Sequence, residues 1–216
     1  AVTFFAAILA LVFVMSIVFR VNKIEVVGNT HYKDSEIINA IEIEEGDNLF
    51  FFDRFAAISR VFAKLPYIEE VSVVRALPGN VIINVVECEA LAYIMVGDEN
   101  WTMDSNCKML GKANDDELEY LIPIKGINPG TLMIGETLTI TNKNPEALLD
   151  FLQELLFNID ERKYGSRVDN IDVTDVSNVR FDFDDNYKVW LGGMNGCSYK
   201  FGILASAMTQ LTADDV

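Results

Sequence analysis

The sequence predicts an α+β fold in which an apolar helix leads into two sheet-bearing modules. Three observations predict it. Residues 2–19 carry no charge. Residues 21–90 then read as strand, helix, helix, strand, strand. Residues 91–216 hold a second set of alternating runs around one long amphipathic stretch.

The leading run, "VTFFAAILALVFVMSIVF", would span about 27 Å as a helix, near the roughly 30 Å hydrocarbon core of a bilayer. Its polar members, Thr3 and Ser16, have hydroxyls that can bond to the helix's own carbonyls. A signal-peptide core is shorter, about 7–15 residues, and ends at a small-x-small cleavage site. This run ends in Ile17-Val18-Phe19-Arg20, so the expectation is an uncleaved transmembrane helix over residues 2–20. A buried soluble helix fits less well, because the run has no polar face. Arg20 and Lys23 would by themselves hold the following chain inside. The sequence opens within the apolar run, so the opposite flank is missing and charge does not fix the orientation.

In the first module, "VNKIEVVGN" is a strand stopped at Gly28-Asn29. Asp34 is expected to cap a helix carrying Ile37, Ile38 and Ile41, and Asp53 to cap a second. Phe55, Ile58, Phe62 and Leu65 recur on one face of a 3.6-residue period, and Pro66 stops that helix. Val71 and Val73 share one face of the next strand, and Val81, Ile83 and Val85 one face of the last. Pro78-Gly79 between them suits a type II turn. Two helices would then cover one side of a three-stranded sheet and leave an edge available.

In the second module, residues 92–110 read as short strands with a turn at Ser105-Asn106, Asn106 taking the left-handed conformation. Asn144 and Pro145 open a helix with Leu148, Leu152, Leu155 and Ile159 on its apolar face. Phe181 and Phe183, then Tyr187, Val189 and Leu191, alternate about an Asp185-Asn186 turn, a second hairpin. A last helix over about 199–211 would bury Ile203, Leu204, Ala207, Met208 and Leu211.

Composition excludes several functions. With 33 acidic against 17 basic residues the net charge is −16, which argues against nucleic acid and against electrostatic docking on anionic lipid or wall polymers. A basic protein partner stays compatible, as does a merely solubilising surface. Cys88, Cys107 and Cys197 form no CxxC pair; one bridge or three buried thiols both fit, and the compartment is not legible from them. His31 is the one histidine, so multi-histidine zinc sites are excluded by count, and it reads as a loop residue. No GxSxG elbow and no glycine-rich phosphate loop occurs. Asp182, Asp184 and Asp185 hint at calcium, but an EF-hand counted from Asp182 puts Tyr187 and Gly193 where Gly and Glu are needed. No catalytic residue, metal or cofactor is expected, although a carboxylate pair for glycoside cleavage is not ruled out by sequence.

A family resemblance rests on Lys64-Leu65-Pro66-Tyr67-Ile68, Val71, Val73, Arg75, Leu77-Pro78, Val81, Ile83, Val85, Glu87 and Ala90, with "VNKIEVVGNTHY" and "EEGDNLFFFD" before them. These resemble the FtsQ-type POTRA domain, and the apolar run leading into it resembles the FtsQ/DivIB cell-division family. "LIPIKGINPG" is similar to the family's Leu-Pro-x-Ile/Leu-x-Gly segment; Cys88-Glu89 departs from its usual Arg and Pro. The resemblance implies a transmembrane helix over 2–20, a POTRA domain over 21–90 and a β domain over 91–216 whose final strand is missing. It implies a non-catalytic scaffold of the bacterial divisome, held in the cell membrane by a single pass with its domains outside. Its implied partners are FtsB/DivIC-type and FtsL-type proteins, linked to septal wall synthesis, with no nucleic acid and no small-molecule substrate. The family docks its FtsB-type partner on the distal part of the second module. There the anchor residues expected on chemistry are Trp190, Tyr199, Lys200 and Leu204. In the first module the expected docking edge carries Val71, Val73 and Val74. A hairpin without chemistry would then act by offering backbone to another chain's strand. The enzyme-class alternative is an anchored extracytoplasmic hydrolase of wall polymers. An outer-membrane export component would need many more strands after residue 90.

Overall fold

The computed structural model describes residues 2–210. The chain divides into two compact units, Ala1–Cys88 and Glu89–Val216.

The first unit begins with α1 (Val2–Val18), whose Phe4, Phe5, Phe13 and Ile17 are exposed. No helix among the described residues is long and apolar enough to cross a membrane. Against the expected span of 2–20, the helix is 17 residues long. It ends early because Phe19 and Arg20 turn aside to pair with residues 48–49.

Next come β1 (Lys23–Val27), α2 (Asp34–Ile41), α3 (Arg54–Lys64), β2 (Ile68–Ala76) and β3 (Asn80–Glu87), in the order expected. The sheet runs β1-β3-β2, with β3 parallel to β1 and antiparallel to β2. Val73, Val81, Ile83 and Val85 point inward against Ile37, Ile41, Ala57 and Val61. Gly28 holds φ 97°, and a Cβ there would strike the Val85 carbonyl, so β1 can end beside β3 only with glycine. Glu87, at the end of β3, gathers the loop after β1. Its carboxylate accepts from the backbone N–H of Thr30 (2.7 Å), His31 (2.6 Å) and Tyr32 (3.1 Å) and from the Thr30 hydroxyl (2.8 Å).

Three local expectations need correction. Asp34 is the first helical residue and not the cap; Asn29 donates to its carboxylate at 2.8 Å, and Lys33 stands at the cap position. The hairpin turn is not type II, because Gly79 lacks the positive φ that turn requires. The buried face of α3 is Ala57, Val61 and Leu65, while Phe55 is 72% and Phe62 43% exposed. Ala57 has no bulk beyond Cβ and lets the helix sit close to its neighbours, where a phenylalanine ring would hold it off. The Asp53 cap is present, accepting from Phe55 N–H (2.9 Å) and Ala56 N–H (3.1 Å).

The second unit is built on a mixed seven-stranded sheet. Its elements are β4 (Ala92–Val96), β5 (Glu99–Met103), β6 (Met109–Ala113), α4 (Asp115–Leu118), β7 (Ile122–Lys125), α5 (Pro145–Glu161), β8 (Val168–Asp172), β9 (Val179–Phe183), β10 (Tyr187–Gly192) and α6 (Cys197–Met208). The order is β10-β9-β8-β7-β4-β5-β6, with β7 parallel to β4 and to β8 and the other pairs antiparallel. Leu148, Leu152, Leu155 and Ile159 of α5 are all buried, as their spacing predicts. Phe151, Phe181, Phe183 and Phe201 complete this core.

Here too some details differ. Asn144 takes the cap position of α5 without a side-chain bond. Cys107 and not Asn106 has the positive φ (60°), because the buried Asp104 carboxylate accepts from the N–H groups of Asn106 (2.9 Å) and Lys108 (2.8 Å) and folds the chain around itself. The tip of the β9–β10 hairpin turns at Asp184 and Asp185, both with positive φ, one residue earlier than expected. In α6 the buried residues are Cys197 and Phe201, with Ile203 53% exposed, because Phe201 stacks on Phe181 (5.8 Å between centroids, 11° between planes) and sets the helix's rotation. Leu211 lies outside the described residues.

Candidate docking edges

A strand that borders only one neighbour presents unpaired backbone groups outward. In the first unit the sheet ends at β1 and β2, and from Glu70 to Ala76 the ladder partner of β2 is β3 alone. The second unit's sheet ends at β6 and β10. The start of β6 is already flanked from within: Met109 N–H donates to the Glu136 carbonyl (2.9 Å), Gly135 N–H to the Met109 carbonyl (2.7 Å), and Leu138 N–H to the Cys107 carbonyl (2.8 Å). For β10 the ladder partner is β9, and among the described residues no loop or cap backbone hydrogen bond involves residues 187–192. Among the described residues the second unit's sheet is therefore open beyond the flanked start of β6 and along the whole rim of β10.

Side chains prepare that rim. Leu191 is buried, Val189 and Tyr187 pack against the core, and Lys188 and Trp190 point to solvent. Trp190 is 57% exposed, and the Arg180 guanidinium lies 5.7 Å from its ring centroid. Arg180 is held by Asp172 through Nη2 (2.6 Å) and Nε (3.2 Å). The Asp172 carboxyl is drawn down to about 2 by the Thr174 hydroxyl and N–H and then by Arg180. A charged arginine thus sits fixed beside a solvent-facing indole. At the hairpin tip, Arg167 makes a bidentate pair with Asp184 (2.8 and 2.6 Å), and Asp184 N–H donates to the Arg167 carbonyl (2.7 Å). These bonds stiffen the strand that ends the sheet.

Of the residues expected to anchor a partner, Trp190 lies on the open rim. Tyr199 is 74% exposed on α6. Lys200 and Leu204 are engaged inside the unit. The Lys200 ammonium donates to the Gly193 carbonyl (2.6 Å), and Leu204 packs against the core. In β2, Val74 is 46% exposed, Val71 half-buried, and Val73 buried at 2%, so the Val73 side chain faces the helices and its place contributes only backbone. Sequence reading missed Arg180 and Asp172, which meet across β8 and β9. Only the strand register, Asp172 opposite Arg180, reveals them.

Among the described residues no group of three His, Cys, Asp or Glu side chains is placed to hold a metal. The three cysteines form no disulfide. Burial, reinforced by Asp104, pushes the Cys107 thiol up to about 12, and burial likewise raises Cys197 to about 12, so neither is a thiolate nucleophile near neutrality. One open groove of the second unit contains two carboxylates, Glu119 and Asp169. Both side chains are exposed, and Asp169 already accepts from Asp185 N–H at 3.0 Å.

Residues 19–87 match the family model described as "POTRA domain, FtsQ-type". Over 140 residues the chain is 29% identical to the cell division protein DivIB of Clostridium botulinum, covering 65% of this chain and 54% of that protein. Over 91 residues it is 32% identical to the cell division protein FtsQ of Corynebacterium glutamicum, covering 42% of this chain and 40% of that one. The chain spans about half the length of the curated relatives it matches. The solved major extracytoplasmic domain of the trans isomer of DivIB from Geobacillus stearothermophilus aligns with 58% of this chain and 98% of that chain at 13% identity, with a TM-score of 0.32.

Proposed function

This chain is a relative of the FtsQ/DivIB cell-division proteins and carries their POTRA domain, and on that premise we propose that it is a membrane-anchored, non-catalytic scaffold of the bacterial divisome. It binds FtsB/DivIC-type and FtsL-type partners by strand addition and so links them to septal peptidoglycan synthesis. The observation that carries this reading is the open rim of β10 with Trp190 exposed upon it. The outer edge of β2 offers the first unit a second, separate docking place. The segment 2–20 anchors the chain as a single pass with both units outside the cytoplasmic membrane. Support comes from the charge-free run of residues 2–19 and from the apolar character of α1 within it. The hydrolase alternative is not favoured by the exposed Glu119 and Asp169, the latter already accepting from Asp185 N–H.

A proline scan tests the docking mode. Proline is introduced singly at residues 187–191 and 70–76, and affinity for a soluble FtsB/DivIC-type segment is titrated alongside a melting curve. Proline at positions whose N–H points outward should abolish binding and spare the fold. Affinity unchanged at every well-folded position of both strands would reject strand addition.

A further inference from the structure

We propose that the aromatic loop of the first unit lies in the membrane interface, with Phe51 and Phe55 inserted among the lipid headgroups beside the foot of α1. The proposal rests on the reading that α1 enters the bilayer.

Depth is the first argument. Asn48 Nδ2 donates to the Met15 carbonyl (3.3 Å), and Met15 lies three residues before the end of α1, about 4.5 Å down its axis. Leu49 N–H donates to the Phe19 carbonyl (2.8 Å), Arg20 bridges Asn48, and the Phe19 ring meets Phe50 edge-on at 5.1 Å. The loop is therefore fastened alongside the last apolar turn and not beyond it. Whatever surrounds that turn also surrounds the loop.

Exposure is the second. Phe51 is 76% and Phe55 72% exposed, with Phe50 at 42%. Burying such a ring in an apolar medium is favourable, and this unit's core takes none of the three. The third argument is the charge set beside the rings in an otherwise acidic chain. The Arg54 guanidinium lies 5.2 Å from the Phe55 ring, Arg75 lies 4.7 Å from the Phe52 ring, and Arg20 Nε donates to the Ser16 carbonyl. Arginines at this level suit lipid phosphates while their stems lie along apolar surface. Of the neighbouring acids, Asp53 caps α3 and Asp47 accepts from Glu44 N–H, while Glu44 and Glu45 are exposed. An aromatic face with basic neighbours is the composition of an interfacial segment.

The test uses the full chain in zwitterionic nanodiscs, in a Trp101→Phe, Trp190→Phe background. Phe51→Trp and Phe13→Trp serve as separate reporters, with lipids brominated either near the headgroup or near the chain end. The proposal expects roughly twofold quenching of Phe51→Trp by the shallow bromine, persisting at high salt because insertion is apolar. Phe13→Trp reports α1 by itself, through the deep bromine. An unquenched Phe51→Trp beside a quenched Phe13→Trp overturns the proposal, keeps the anchor, and leaves the rings to a protein partner. A quenched Phe51→Trp beside an unquenched Phe13→Trp keeps the loop at the membrane and removes the anchor. Two silent reporters defeat both.

Discussion

The two units place their aromatic residues in opposite ways. The first closes its core with aliphatic side chains alone and leaves Phe50, Phe51, Phe55 and Phe62 at the surface. The second buries Phe151, Phe181, Phe183 and Phe201, two of them stacked. The difference follows from what each sheet must fill. Three strands under two short helices meet at close range, where Ala57 and Val61 fit. Seven strands against a 17-residue helix leave a broad layer that rings fill economically. Among the described residues the fully buried phenylalanines therefore all lie in the second unit, while Phe19 and Phe52 pack only partly against the first unit's core and Phe157 of the second is exposed.

The contrast can be broken by substitution. Phe181→Ala should cost about 3–5 kcal/mol, read by denaturant unfolding, since it leaves a cavity beside Phe201. A loss below about 1 kcal/mol would mean the ring is not structural. Glu87→Ala should cost the first unit about 1–2 kcal/mol, because one carboxylate receives four hydrogen bonds on a partly exposed loop. Faster amide exchange at residues 30–32 would locate that loss.

Acid should act on both units. Burial opposes ionisation of Glu87, but the N–H groups of His31, Thr30 and Tyr32 outweigh it and hold its carboxyl below the usual range. Asp172 sits at about 2. Their folded values lie below their unfolded ones, so this stability is present above about pH 4 and is lost as pH falls toward 2. Melting temperature followed from pH 5 to 2 should fall, and Asp172→Asn should flatten part of that slope. The smallest effect is expected of Phe51→Ser, within about 0.5 kcal/mol in detergent, where its ring has no packing to lose.

Where one stripe dominated, the pattern was readable from sequence. Val81, Ile83 and Val85 announce their strand, Asp53 its helix, and Leu148, Leu152, Leu155 and Ile159 the face they bury. In α3, apolar residues occupy more than one stripe, so periodicity gave no unique inward face, and only contact with the sheet selects Ala57 and Val61. The open rim at β10 and the Arg180–Asp172 pair depend on strand order and register, which residues far apart in sequence decide together. Trp190 was legible as an aromatic at the hairpin; that Lys200 reaches back to Gly193 was not, because a long side chain's target is set by the loop it meets.

The parallel pairing of β1 with β3 has a mechanical consequence. The chain enters that pair at Lys23, opposite Asn80, and leaves it at Glu87, beyond the far end of β1. Tension applied between residues 20 and 88 pulls the neighbouring strands lengthwise in opposite directions. Every rung then shares the load in shear, where a hairpin pulled at its open end would unzip one rung at a time, and the Glu87 clasp on the loop at 30–32 lies across the same line of force.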